Sequence, residues 1–260
     1  ARKKKQSDFV SVLDKSIGPW FAESVNTLQL RICRELDEKD GKVLLVTSTV
    51  PGEGKSMLSV NLAYTLAKNG KQVLLVDADL RRQDLAKRMG WKGSRLSMEE
   101  ILSGHCEMEK AVTYEPESGI YFLGGKKPLN KTTLLQSKNL GQLLEQIKPL
   151  MDYIILDAPP CGAFEDVFLM EEYTDSILYV IMQDHAPRNQ IIDAVASLEA
   201  EKAPVIGYVF NGVAGVFGNS YGYGYGKYGH YGRYGRYGKY GYGRYGYGEE
   251  KPEREKVDAT

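Results

Sequence analysis

Short apolar runs alternate along the chain with segments in which apolar residues recur at helical spacing. The apolar runs predict strands at VLLVTS (43–48), VLLVDAD (73–79), IYFL (120–123), YIILDAPP (153–160), SILYVIM (176–182) and VIGYVFN (205–211). Helical spacing lies between them, in SMLSVNLAYTLAKNG (56–70), NLGQLLEQIKPL (139–150) and RNQIIDAVASLEA (188–200). Continuous apolar strands that alternate with helices predict an α/β fold with a parallel sheet and helices on both faces.

The two ends of the chain follow other patterns. Before the first strand, WFAESVNTLQLRICREL has apolar residues on one helical face and predicts an amphipathic helix. After Phe217 the chain is of low complexity and has no pattern that could form a core. We therefore divide the chain into a flexible basic lead-in (1–18), a domain (19–216) whose N-terminal interaction helix covers about 20–38, and a disordered tail (217–260) with a tyrosine cluster at 221–247.

Composition narrows the class of protein. A hydrophobic content of 42% and a charged content of 26% fit a globular domain, and no apolar run approaches the length of a membrane span. No signal peptide is visible, and the three isolated cysteines suggest neither a zinc site nor a disulfide framework. The basic start, ARKKK, is a solvated end, a contact for anionic lipid, or the continuation of a membrane helix that is absent from this chain.

The segment TSTVPGEGKSMLS predicts a phosphate-binding loop. It follows a predicted strand and begins a helix, where backbone N–H groups and the helix dipole favour phosphate. Lys55 can reach the β- and γ-phosphates, and the Ser56 hydroxyl can bind Mg²⁺. The strict pattern requires Gly at position 49, where this chain has Thr49, so an ordinary Gly-rich turn is the alternative. The residues that we expect to contact nucleotide here are Gly52, Glu53, Gly54, Lys55, Ser56 and Met57.

Polar residues also end three other predicted strands. Asp77 and Asp79 end the second run and Asp157 ends YIILD; the carboxyl ends of parallel strands meet at the edge where ligands bind. Carboxylates there can hold Mg²⁺ or accept a proton from a hydroxyl, although a turn and helix cap is the alternative for Asp77-x-Asp79. Asn211 ends the last run, and it either reads the edge of a nucleotide base or is a turn residue before Gly212.

These motifs, taken together, carry a family resemblance. Through PGEGKS (51–56), VLLVDADLR (73–81), YIILDAPP (153–160) and a C-terminal tyrosine cluster, roughly residues 20–247 resemble the bacterial tyrosine autokinases (BY-kinases) of capsular and exopolysaccharide systems. The related partition and division ATPases have a signature lysine early in the loop, where this chain has Val50. The absence of a following NKxD motif argues against a translation GTPase.

The resemblance implies a role for each matching residue. Lys55, Asp77 and Asp79 would be catalytic, with Asp77 as the base toward a tyrosine hydroxyl. Ser56, Asp79 and Asp157 would hold Mg²⁺, and ATP would be the phosphate donor. Arg81 matches the arginine of the second motif, and we assign it no role.

The resemblance also implies partners. The family forms rings through an N-terminal helix patterned ExxRxxR. The matching stretch here, ESVNTLQ, keeps Glu23 but has Asn26 and Gln29 instead of the two arginines. This departure puts ring formation, or the geometry of the ring, in doubt. A transmembrane polysaccharide co-polymerase that activates the kinase, or a fused membrane region, would place the protein in the cytoplasm at the inner face of the plasma membrane. A cognate tyrosine phosphatase is a further expected partner, and we expect no nucleic acid.

The tail admits three interpretations: a self-associating segment, a nucleic-acid arm, or a substrate. The nucleotide motifs favour the substrate, since glycines keep the segment flexible and let several tyrosines reach a site in turn. The phosphoacceptors would be Tyr221, Tyr223, Tyr225, Tyr228, Tyr231, Tyr234, Tyr237, Tyr240, Tyr242, Tyr245 and Tyr247. We thus predict an ATP–Mg²⁺-dependent protein-tyrosine autokinase that acts in trans. The alternative is an ATP-hydrolysing assembly switch of the partition and division ATPase kind, with an associative tail.

Overall fold

The structure is a computed structural model that describes residues 9–14, 16–91, 94, 96, 98–103, 108–125 and 139–213. Within these ranges the strands are β1 (Val43–Ser48), β2 (Val73–Asp77), β3 (Val112–Glu115), β4 (Ile120–Leu123), β5 (Tyr153–Asp157), β6 (Ser176–Met182) and β7 (Val205–Asn211). The helices are α1 (Pro19–Asp37), α2 (Lys55–Lys68), α3 (Leu85–Met89), α4 (Met98–Leu102), α5 (Met108–Ala111), α6 (Asn139–Ile147), α7 (Asp166–Glu171) and α8 (Arg188–Ala200). A 3₁₀ turn, Lys148–Leu150, follows α6.

The strands form one sheet in the order β3-β4-β2-β5-β1-β6-β7. All neighbours pair in parallel except β3 and β4, which pair antiparallel. The prediction of a parallel sheet is therefore correct for the strands that were predicted, and β3 was missed. Its four residues are only half-buried or exposed, so no continuous apolar run marks it. Gly119, with a φ of 73°, turns the chain between the two antiparallel strands.

Two apolar layers cover the sheet, which confirms the prediction of helices on both faces. Strands β1, β2 and β5 are buried along their whole length because both layers contact them. One layer packs α1 and α2 on the sheet, and the other packs α6, α7 and α8. Burial of each Val or Leu side chain contributes about 1.5–3 kcal/mol, and this packing fixes the strand ends that carry polar residues.

Helix α1, the predicted interaction helix, packs on α2. Gln29 is buried, donates to Cys33 Sγ at 3.0 Å and accepts from Asn69 at 3.1 Å. Glu23 and Asn26 are exposed. Of the three positions that match the ring motif, two thus face outward and the third is used inside the domain; ring formation itself stays a prediction.

Part of the predicted lead-in contacts the domain. The Asn61 side chain of α2 donates to the Val10 carbonyl and accepts from the Val12 N–H, at 2.8 and 2.7 Å. The predicted boundary at residue 18 and the tail, which lies outside the described residues, stay predictions. None of the helices in the described ranges has both the length and the apolarity that crossing a membrane requires.

The amino-terminal edge of the sheet is closed by side chains that satisfy backbone groups. Asp175 accepts from the N–H groups of Lys42 and Val43, both at 2.8 Å. Asp152 accepts from the Gln72 N–H at 2.7 Å. The Lys42 ammonium donates to the carbonyls of Lys148 and Met151 at 3.0 and 2.9 Å. Asp175, Asp152 and Lys42 thus each have a matching partner at this edge, whereas the buried hydroxyl of Ser176, the first residue of β6, has none among the described residues.

Candidate active site

The candidate site lies at the opposite, carboxyl-terminal edge of the sheet, where β1, β2 and β5 end side by side. Asp77, the last residue of β2, is opposite Asp157, the last residue of β5. Val46 of β1 is the other neighbour of Asp157, and β1 continues only to Ser48 before the chain forms the predicted phosphate loop. The parallel register thus places both strand-ending acids beside the start of α2.

The phosphate loop turns through two glycines in the left-handed region. Gly52 has a φ of 96° and Gly54 a φ of 94°, and α2 begins at Lys55 directly after them. Glycine is required at 54 for a second reason: a Cβ there would lie 2.2 Å from the Asn211 side-chain nitrogen. The first-turn residues Ser56 and Met57 are half-buried. Such a turn with helix N–H groups behind it can bind phosphate.

Glu53 fixes the shape of this loop from inside the protein. Its side chain is fully buried and accepts from the Val50 N–H at 2.8 Å and the Met182 N–H at 3.3 Å. Its carbonyl accepts from the Asn211 amide at 2.9 Å. The carboxylate of Glu53 therefore faces the protein, and contact with a phosphate would be made by its backbone.

Asn211 acts on the loop in this structure. Its Nδ2 donates to the Glu53 carbonyl, and its Oδ1 accepts from the Gly212 N–H at 2.9 Å. Asn211 thus makes the contact that a turn residue before Gly212 is expected to make. Recognition of a base by Asn211 stays a prediction.

The departure from the strict loop pattern has a structural reason. Thr49 is buried, and its hydroxyl is 2.9 Å from that of the fully buried Tyr179. A glycine at 49 would leave the Tyr179 hydroxyl without this partner. Glycine instead occurs at Gly162 on the facing segment, where a Cβ would lie 2.5 Å from the Thr49 carbonyl.

Lys55 and Asp157 form the charged centre of the site. Burial lowers the pKa of Lys55, and the charges of Asp157, Asp79 and Glu53 act against that shift. Burial raises the pKa of Asp157 to about 6, and Lys55 and Ser56 act against it. Ser59, one turn along α2, donates to the Asp157 carboxylate at 3.3 Å. The attraction between the opposite charges of Lys55 and Asp157 therefore offsets part of the cost of burying each group.

Asp77 and Asp79 have fewer hydrogen-bond partners than Asp157. Burial, with the charge of Asp157, raises the pKa of Asp77 well above its usual range, although the Leu85 N–H donates to it at 3.1 Å. Burial also raises the pKa of Asp79, against the charges of Lys55 and Arg82. Among the described residues, the buried Oδ1 of Asp79 has no hydrogen-bond partner. Buried polar atoms without partners are rare, and one that lies beside other acids with raised pKa values marks a candidate functional site.

Arg81 braces the loop that carries these acids. Its guanidinium donates to both carboxylate oxygens of the buried Asp166, at 2.7 and 2.9 Å, and lies 4.7 Å from the centre of the Phe164 ring. Sequence reasoning missed this pair. The two residues are 85 positions apart in the sequence, and no local pattern indicates that they form an ion pair.

The oxygen groups at this edge suit Mg²⁺, which binds proteins through one or two carboxylates and completes its shell with substrate phosphate and water. The described residues contain no group of three or more acidic, histidine or cysteine side chains placed to hold a metal unaided. The unpartnered Asp79 oxygen, with Ser56 and Asp157 nearby, fits an ion that phosphate helps to hold. The predicted phosphoacceptor tyrosines lie outside the described residues.

Comparison with known proteins identifies relatives. The AAA domain family matches residues 41–187. The chain is 31% identical over 193 residues to tyrosine-protein kinase CpsD of Streptococcus agalactiae serotype Ia, which covers 74% of this chain and 82% of that protein. It is 30% identical over 213 residues to tyrosine-protein kinase ptk of Acinetobacter johnsonii, covering 82% of this chain. Several relatives are longer, and the chain spans only 27–29% of their length.

A solved structure agrees with these relatives. The kinase domain of the Escherichia coli tyrosine kinase ETK superposes with a TM-score of 0.70 at 27% identity. The match covers 78% of this chain and 80% of that domain.

Proposed function

The chain belongs to the bacterial tyrosine-protein kinase family, and from that premise we propose that it transfers phosphate from ATP, with Mg²⁺, to its own C-terminal tyrosines. The observation that carries the proposal is the group of aspartates at the ends of β2 and β5 beside a loop lysine. A partition-type switch would need the same phosphate site, but the relatives at about 31% identity are named tyrosine kinases.

Each residue of the site has a task in this proposal. Lys55 binds the phosphates of the nucleotide, and Ser56, Asp79 and Asp157 hold the metal ion, which neutralises charge on the transferred phosphate. Asp77 accepts the proton of the tyrosine hydroxyl. Its raised pKa suits that task, because a base with a pKa nearer neutrality is a stronger proton acceptor.

The acceptors are the eleven tail tyrosines, delivered from a neighbouring copy. Glycines between them let each tyrosine reach the site in turn, and nearby Arg and Lys are attracted to its acids and phosphates. Each phosphate adds about −1.5 to −2 charges, so full modification adds on the order of −16 to −22. We infer that the tail is then repelled and the assembly loosens. Native mass measured at increasing phosphate occupancy tests this, and an assembly that persists at high occupancy contradicts it.

The cellular role follows from the resemblance. The kinase regulates polysaccharide polymerisation or export, with a transmembrane activator or fused membrane region and a tyrosine phosphatase. It acts in the cytoplasm beside the membrane. Asn26 and Gln29 stand where the ring pattern has arginines, so the subunit number has to be measured directly.

Phosphosite mapping tests the function. Wild-type protein, Asp77→Asn and Lys55→Met are incubated with labelled ATP and Mg²⁺, and tyrosine label and free phosphate are both quantified. Label on Tyr221–Tyr247 in wild type alone supports the autokinase. Free phosphate without tyrosine label supports the hydrolytic switch, and phosphotyrosine on Lys55→Met removes the proposed site.

A further inference from the structure

Gln83 lies in the loop after β2 in a backbone conformation that is costly for its residue type. Its φ is 46°, in the left-handed region that favours glycine, and its side chain is buried. Such conformations persist where surrounding contacts over-determine them, and they concentrate at functional sites. The contacts of Gln83 therefore indicate what this conformation is for.

Both ends of the Gln83 amide bind backbone. Its Nε2 donates to the Asp77 carbonyl at 2.6 Å and lies 3.4 Å from the Asp79 carbonyl. Its Oε1 accepts from the N–H of Gly125, two residues beyond β4. One side chain thus ties the loop of the two acids to the exit of the neighbouring strand.

These contacts fix the peptide groups from which the acids project. The Asp79 carbonyl also accepts from the N–H groups of Arg82 and Gln83, both at 3.0 Å, which closes a tight turn. The Asp77 carboxylate is held by the Leu85 N–H on the far side of that turn. A rotation of the turn would therefore move both carboxylates, including the unpartnered Asp79 oxygen.

We propose that Gln83 is a positioning residue that holds the Asp77 and Asp79 carboxylates where phosphate transfer requires them. The inference rests on the proposed function, and it adds a residue outside the motifs that carry the family resemblance. The left-handed backbone brings the amide inward, and the amide then braces the turn against Gly125.

Three substitutions at this position separate the contributions. Gln83→Ala removes the amide and keeps the strained backbone. Gln83→Gly removes the amide and relieves the strain, so it folds even where the alanine variant does not. Gln83→Glu keeps the acceptor for Gly125 but points a carboxylate at the two carbonyls. The matched control is Asp175→Ala, which also removes a side chain that binds two backbone groups, at the opposite edge of the sheet.

Two readouts are compared: the autophosphorylation rate at saturating ATP, and the affinity for a fluorescent ADP analogue with Mg²⁺ and with EDTA. All three Gln83 variants are expected to lose at least about tenfold in rate, since a small misplacement of catalytic groups costs up to about 100-fold. Their gain in affinity on adding Mg²⁺ shrinks, whereas affinity in EDTA stays within about twofold of wild type. Asp175→Ala keeps both the rate and the Mg²⁺ response.

Two results overturn the inference: Gln83→Gly with the wild-type rate and Mg²⁺ response, or equal losses in Gln83→Gly and Asp175→Ala. A wild-type protein that binds nucleotide but labels no tyrosine contradicts the proposed function instead. In that case the Mg²⁺-dependent affinity still decides whether Gln83 positions the acids.

Discussion

The two edges of the sheet treat their acidic residues in opposite ways. At the amino-terminal edge, Asp175 and Asp152 lie beside backbone N–H groups and accept hydrogen bonds of 2.7–2.8 Å. At the carboxyl-terminal edge, Asp77, Asp79 and Asp157 are crowded together, and burial raises the pKa of each. The same residue type thus stabilises one edge and destabilises the other.

The difference shows where the fold gives up stability for chemistry. An acid whose pKa is raised by burial favours the folded state only while it is protonated. Asp77 and Asp157 therefore lower the stability of the nucleotide-free protein near neutral pH. The metal ion of a bound metal–nucleotide complex would place positive charge beside these acids and reduce that penalty. Four predictions test this contrast.

The largest effect is expected for Asp77→Asn. Loss of a general base lowers the rate of tyrosine phosphorylation by about 10²–10⁴-fold. The asparagine side chain can still accept a hydrogen bond from the Leu85 N–H and carries no buried charge. The unfolding temperature of the variant is therefore expected to be at least that of the wild type. The difference in unfolding temperature grows from pH 4 to pH 8, because only the wild type is destabilised as Asp77 ionises. Scanning calorimetry beside the rate assay decides; an Asn variant that is both active and less stable contradicts the contrast.

The second prediction concerns pH and Asp157. Its folded-state pKa of about 6 is above the ordinary value of 3.8, so the folded state binds the proton more tightly between these values. Stability from this group therefore falls as pH rises through that window, by up to about 3 kcal/mol. Urea unfolding of Asp157→Asn and wild type at several pH values measures the difference. We expect the variant to gain relative to wild type from pH 4 to pH 7, and parallel curves would show that Asp157 is not the cause.

Asp175→Ala should act in the reverse direction. Two backbone N–H groups lose their acceptor, which lowers the free energy of unfolding by about 2 kcal/mol. Phosphorylation per folded molecule is expected to be unchanged, because the site lies at the other edge. Asp175→Asn keeps one acceptor and should lose less. Urea unfolding gives the stability, and a selective loss of activity in the folded protein would place Asp175 in the machinery instead.

The smallest effect is expected beneath the phosphate loop. Thr49→Val removes the hydroxyl that meets Tyr179 and should cost about 1 kcal/mol. Tyr179→Phe should cost a similar amount, and the double variant less than the sum, since neither hydroxyl is then left alone. A double-mutant cycle by urea unfolding measures the coupling. Strictly additive losses would mean that the two hydroxyls do not interact.

Much of this arrangement could be predicted from the sequence, because local patterns carry it. Apolar runs gave the buried strands, and the glycines with Lys55 marked the phosphate loop. Strand β3 could not be predicted because an edge strand of four half-exposed residues has no apolar run. The bracing of Arg81 by Asp166 and of Gln83 by Gly125 depends on where distant loops meet, which no local pattern encodes.

The buried tyrosines of the domain have a practical consequence. Tyr64, Tyr153 and Tyr179 are each at most 5% exposed. An enzyme that modifies tyrosine cannot reach these three in a folded neighbour, although the same residues become ordinary substrates in an unfolded chain. Phosphate found on any of these three tyrosines would therefore indicate that part of the preparation is unfolded. Phosphosite mapping thus also measures the quality of the sample, without an added probe.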